Sequence, residues 1–135
     1  MSMLTKKQFQ LLAEFRHQMR RFERFSELAI KSAGLTPQQY LLMLQIKGMP
    51  DRDWATVGEL AERLQIQHHG AVALVNRCEA RGFVSKRIDE HDRRQVQVHL
   101  CPEGEALLEH LVSLHKAELK SLKGVFQVPT IELEP

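Results

Sequence analysis

The sequence predicts a mainly α-helical fold with one small β-hairpin set between two long helices. Apolar residues recur at helical spacing through five segments between residues 5 and 122. Near the three-quarter point the period changes: Gln95-Val96-Gln97-Val98-His99-Leu100 alternates polar and apolar with period two, as a half-buried strand does. Breakers mark the joints between segments, at Gly34, Gly48-Met49-Pro50, Gly82 and Pro102.

Residues 5–32 form the first helix, with Thr5 as N-cap and no Gly or Pro before Gly34. Phe9, Leu12, Phe15, Met19, Phe22 and Leu28, flanked by Leu11, Phe25 and Ala29, give it a wide aromatic face. Such a face serves the core, a second subunit, or both. Thr36-Pro37 opens a second helix reaching about Lys47. Its Tyr40, Leu41, Leu42, Met43, Leu44 and Ile46 are apolar most of the way round, which places it at the buried centre.

Trp54-Ala55 is a brief extended piece, and Thr56 followed by Glu59 is a capping box. The helix it opens, Val57 to about Leu64, buries Val57, Leu60, Ala61 and Leu64 and shows Glu59, Glu62 and Arg63 to solvent. Gln65-Ile66-Gln67 is a turn into a further helix over about 67–82. Ala71, Leu74, Val75 and Cys78 form its apolar face at spacings i, i+3, i+4 and i+7. His69, Val72, Ala73 and Asn76, with Arg77 beside them, lie opposite and are nearly free of bulk and acid. That suits a helix entering a groove about 12 Å wide.

Residues 83–88 and 95–100 then pair across the polar tip Asp89-Glu90-His91-Asp92-Arg93-Arg94. Two short helices, a tight turn and a projecting hairpin make a winged helix-turn-helix. Pro102, with Glu103 and Glu105 in the first turn, opens the last helix through Leu122. The expected organisation is one domain over 1–135. Helices at 5–33 and 102–123 serve dimerisation, 35–101 is the winged helix-turn-helix, and 124–135 is an irregular tail.

The 135 residues suffice for a single core. A net charge of +2 favours an anionic partner only weakly, but its distribution is uneven. Residues 1–31 hold seven Lys/Arg against three Asp/Glu, and residues 102–135 hold three against six. No apolar run approaches the roughly 18 residues of a membrane span, and the first residues lack the apolar core of a secretion signal. Cys78 and Cys101 have no CxxC spacing, so neither a disulfide framework nor a zinc site is signalled. A cytoplasmic protein with reduced thiols is expected.

The stretches LTPQQYLLMLQIKG, TVGELAERLQI, LVNRCEARGFVSKR, DEHDRRQVQVHL and PEGEALL together resemble the MarR family of bacterial winged-helix transcriptional regulators. They cover roughly residues 35–110, and the wing pattern from Asp89 through Asp92-Arg93-Arg94 to Pro102 and Gly104 is the most specific part. The resemblance implies a homodimer that binds a palindromic double-stranded DNA operator, usually as a repressor, and is released by a small organic ligand or by cysteine oxidation. No cofactor is implied. Three departures stand out: Cys101 replaces the family's usual Thr, Gln67-His68-His69-Gly70 replaces small hydroxyl residues, and Pro129 falls where a further dimerising helix often lies.

On this reading Gln67, His68, His69, Asn76 and Arg77 contact base edges, with Val72 against a thymine methyl and Ala73 on the same face. Gln and Asn suit adenine, and Arg suits guanine. Arg93 or Arg94 reaches the minor groove, Lys86 and Arg87 add charge toward phosphate, and Asp92 and Asp89 pair with the neighbouring arginine to fix the tip. Cys101 is either a redox-responsive thiol or a small residue closing a strand. Cys78 is inert, and the seven histidines form no metal-ligand spacing. There is no Gly-rich phosphate loop, HExxH or GxSxG, which argues against an enzyme. The alternative is a winged-helix adaptor that binds protein without DNA, and Arg93-Arg94 argue against it.

Overall fold

A computed structural model describes residues 4–123 and 128–131. Its elements run α1 (Lys6–Ser32), α2 (Pro37–Lys47), β1 (Trp54–Thr56), α3 (Val57–Leu64), α4 (His68–Ala80), β2 (Val84–Ile88), β3 (Val96–Leu100) and α5 (Pro102–Leu122). The tail expected to be irregular lies mostly outside the described residues, and 128–131 form neither helix nor strand.

The helix starts follow from local chemistry. Thr5, Thr36 and Thr56 each cap a helix, accepting from the amide three residues on while that residue's side chain returns to the cap amide. Two of these boxes are closed by glutamines, Gln8 and Gln39, and the third by Glu59. Gly34 and Gly82, both at φ +78°, turn the chain out of α1 and α4 in a conformation that favours glycine.

α2 is the centre of the core. Its Leu42, Met43 and Ile46 are fully buried and meet Leu60, Leu74, Val75, Val98 and Leu111 from four other elements. One part of the expectation for α2 is corrected. Leu41 is 40% exposed, because it lies on the far side of the helix from Met43 and Ile46. Gln39 is buried instead, its polar end bonded to the Thr36 amide at 3.1 Å. Glu59 is half-buried where exposure was expected, drawn in by its cap bond and Arg52.

The hairpin β2–β3 is antiparallel, in register from Val84 opposite Leu100 to Ile88 opposite Val96. β1 adds a third strand on the other edge of β3, with Trp54 opposite His99 and Thr56 opposite Gln97, giving the order β1-β3-β2. The wing is therefore anchored at its base by a strand from outside the hairpin. α1 and α5 pack on each other and on α2, and α5 also meets β3 at the base of the wing.

Candidate nucleic-acid interface

α3 ends on Gln65 in the left-handed region (φ 54°, ψ 47°), and the Ile66 amide bonds back to Ala61 O at 3.0 Å. This sharp exit starts α4 at His68, with Gln67 as an N-cap whose side chain makes no capping bond. Ala71, Leu74, Val75 and Cys78 are buried, as their spacing requires. Burial pushes the Cys78 thiol up to about 11, despite the opposing charges of Arg81 and Arg77. Gln67, His68, His69, Val72, Asn76 and Arg77 are exposed, and Ala73 is half-buried. The helix and its N-cap thus present two imidazoles, two amides, a guanidinium and one branched methyl pair on the open side.

The wing tip is ordered by two carboxylates. Asp89 Oδ1 accepts from the amides of His91 (2.7 Å) and Asp92 (3.1 Å), and its Oδ2 from Gln97 Nε2 (3.2 Å). Those amide bonds hold the Asp89 carboxyl below the usual carboxylate range. Asp92 Oδ1 accepts from both the amide and Nε of Arg94 at 3.1 Å. Asp92 therefore pairs with an arginine as expected. Asp89 does not; it organises amides and Gln97. The Arg94 side chain remains 92% exposed although Asp92 sets its direction, and Arg93 and Arg87 are also exposed.

Between α4 and the wing lies a cleft of about 400 Å³ whose lining includes His68, Val72, Asn76, Lys86 and Arg94. Lys86 reaches from β2 across this cleft: its ammonium donates to Asn76 Oδ1 at 2.7 Å and pairs with Glu79 at 3.3 Å. Its expected charge toward phosphate is thus already engaged within the chain. Glu79 is the one acid on α4, so the pair also neutralises that helix's negative charge.

Three further groups hold this unit in place, and sequence spacing did not single them out. Arg52 bonds Glu59 and lies 4.3 Å over the Trp54 ring, joining the turn before β1 to α3. Burial works against the Glu59 carboxylate, but the bonds from Thr56 and Arg52 outweigh it and hold the group below its ordinary range. Arg81 donates to Gly34 O at 2.8 Å and stacks over Phe83, tying the end of α4 to the turn after α1. His115 on α5 is only 3% exposed. Its Nδ1 lies 2.6 Å from Leu111 O and its Nε2 2.8 Å from Ser26 Oγ, and its ring stacks on Tyr40 at 5.3 Å. His115 falls in line with Leu108 and Leu111 along α5, so the apolar period alone could have marked it as interior. Cys101 is the N-cap of α5, half-buried, with its amide bonded to Phe83 O at 2.9 Å and no capping bond from its side chain. Among the described residues no three His, Cys, Asp or Glu side chains gather as a metal site would require.

Two helices at a tight turn, followed by an anchored hairpin whose arginines stand beside the second helix, define a winged helix-turn-helix. The model of the MarR family matches residues 33–95. The chain is 26% identical over 89 residues to YsmB, an uncharacterised HTH-type transcriptional regulator of Bacillus subtilis, a match covering 66% of this chain and 59% of the relative. It superposes on a MarR family protein from Bacillus stearothermophilus with a TM-score of 0.76 at 21% identity, covering 92% of this chain and 85% of that one. It superposes on a cysteine-to-serine mutant of MarR from E. coli, complexed with operator DNA, with a TM-score of 0.68 at 20% identity, covering 78% and 74%. Over residues 33–95, which hold α2 to β2 and the wing tip, the chain is similar to the MarR family. It spans 59% and 56% of the length of the curated relatives it matches.

Proposed function

We propose that this chain binds double-stranded DNA sequence-specifically as a homodimer and regulates transcription, most often as a repressor. The observation that carries the reading is the pairing of two features on one surface. The open side of α4 bears Gln67, His68, His69, Val72, Asn76 and Arg77, and beside it stands a wing whose Arg94 is held pointing outward by Asp92. α4 is the width of a major groove, and its exposed side chains carry the donors and the methyl contact that base edges recognise. Arg94, with Arg93 and Arg87, supplies minor-groove and phosphate charge. The superposition on MarR in complex with operator DNA supports this placement of helix and wing.

A second copy is supported by apolar surface that this chain leaves open on α1 and α5. Phe9, Leu12 and Leu28 are 56%, 44% and 53% exposed, and Leu119 is 53% exposed. A two-fold dimer would present two winged lobes, hence a palindromic operator. Control by a small organic ligand belongs to the same reading. A cleft of about 480 Å³, lined by Arg20, Arg21, Arg24, Phe25 and Leu28 of α1 and by Glu118 of α5, sets three guanidiniums against one carboxylate, a balance that favours an anionic organic molecule.

The test is fluorescence anisotropy with duplexes enriched by the protein from a randomised pool, at several salt concentrations. Sequence-selective binding that weakens linearly in log K against log salt is expected. No enrichment and no binding at any salt would replace this reading with a protein-binding adaptor. A reporter under the enriched sequence then gives the sign of regulation.

A further inference from the structure

On the same DNA-binding reading, we infer that Lys86 is a positioning residue that restricts Asn76 to donating hydrogen bonds, so that α4 prefers guanine where an unrestrained Asn would prefer adenine. Three observations carry this. Lys86 Nζ lies 2.7 Å from Asn76 Oδ1, the two residues line one cleft, and Asn76 is exposed on the open side of α4. An ammonium has three donors and no acceptor. The side of the amide facing it is therefore the oxygen, and chemistry fixes which way Asn76 is turned. The NH2 group faces the other way.

An Asn reads adenine by two bonds: its oxygen accepts from the 6-amino group and its nitrogen donates to N7. Here the oxygen is engaged. It keeps a second lone pair, but a base amino group approaching it would sit beside the ammonium, donor against donor. The free NH2 group requires acceptors. Guanine offers two in the major groove, N7 and O6, whereas adenine offers only N7. The ammonium nearby strengthens that preference, because the guanine edge is the more electronegative. Glu79, 3.3 Å from Lys86 on the same helix as Asn76, keeps the ammonium from swinging away toward a phosphate. The clamp thus joins β2 to α4 and changes the chemical face that α4 presents.

The experiment selects duplexes from a randomised pool with the parent chain, Asn76→Ala, Lys86→Met and Lys86→Arg. Asn76→Ala identifies the base position that Asn76 reads, as the one whose preference it abolishes. At that position the parent should prefer guanine. Lys86→Met should reverse the order in favour of adenine by about tenfold, the scale of one bidentate base contact. Lys86→Arg, which also only donates, should keep guanine. Lys86→Met should also leave the salt slope unchanged, since its charge is not spent on phosphate. A parent that already prefers adenine, a Lys86→Met profile identical to the parent's, or an Asn76→Ala profile without a lost position overturns the clamp alone. A parent that enriches no motif overturns the DNA-binding reading and the clamp with it.

Discussion

Arg94 shows how a fully solvated side chain can still be aimed. Its guanidinium is exposed, yet its Nε and its own amide both bond Asp92 Oδ1 at 3.1 Å. Exposed ion pairs add little stability, so the pair's use lies in direction. On the proposed reading, Arg94→Ala should lower the slope of log K against log salt by about one unit per wing. Asp92→Asn keeps the arginine charge and should weaken binding with the slope unchanged, both measured by anisotropy across a salt series. Cys78 gives a residue-scale prediction of a different kind. Burial raises its thiol from 9.0 to about 11 in the folded chain. A raised acid contributes stability below its unfolded value and loses it as pH rises through the folded one. The folded protein should therefore resist alkylation at Cys78 near neutrality, read by mass spectrometry of native against denatured samples. Its urea midpoint should fall above about pH 9, and Cys78→Ala should flatten that fall.

The elements are joined by contacts as specific as those within them. Gly104 in the first turn of α5 sits against the backbone of Phe83, where an added Cβ would come within 2.3 Å of its carbonyl oxygen. Backbone cannot rotate away as a side chain can. Gly104→Ala should cost about 3 kcal/mol, and the junction of the wing's base with α5 should loosen first. Thermal unfolding gives the magnitude, and hydrogen exchange at Cys101 and its neighbours gives the location. At the other end of the sheet, Thr56→Ala removes a cap and should cost about 1 kcal/mol. Because the folded Glu59 carboxyl lies below its ordinary range, its contribution is present above the unfolded carboxylate value and is lost as pH falls below about 4. Glu59→Gln should remove that part of the acid sensitivity in urea titrations. Helix starts and the wing hairpin were legible in sequence because caps, prolines and period-two alternation act over four or five residues. β1 as a paired strand was not, since three residues carry no period and its pairing with β3 spans some forty positions. The exposure of Leu41 and the Lys86–Asn76 bond likewise depend on which elements meet, and no local pattern contains that.

At the scale of the whole molecule, the winged lobe has a complete core, while the helices that flank it do not. α2, α3, α4 and the sheet enclose Leu42, Met43, Ile46, Leu60, Leu74 and Val98 almost fully. The first half of α1 has no such cover, and its Phe9, Leu11 and Leu12 stand in solvent. Placing large apolar residues there is costly unless another surface buries them, at about 25 cal/mol per Å². On the proposed reading that surface is a second copy, and the hydrogen bond from Arg81 to Gly34 O links the end of the recognition helix to the turn after α1. Phe9→Lys combined with Leu12→Lys should then yield a folded monomer by sedimentation equilibrium, with the circular dichroism of the parent. Because both positions are exposed in the single chain, loss of folding is not the expected result. The monomer keeps one α4 and one wing, so its salt slope on the enriched duplex should fall to about half. A dimer that survives both lysines would move the interface elsewhere on the chain, and a monomer with the full slope would mean that one lobe alone makes the phosphate contacts.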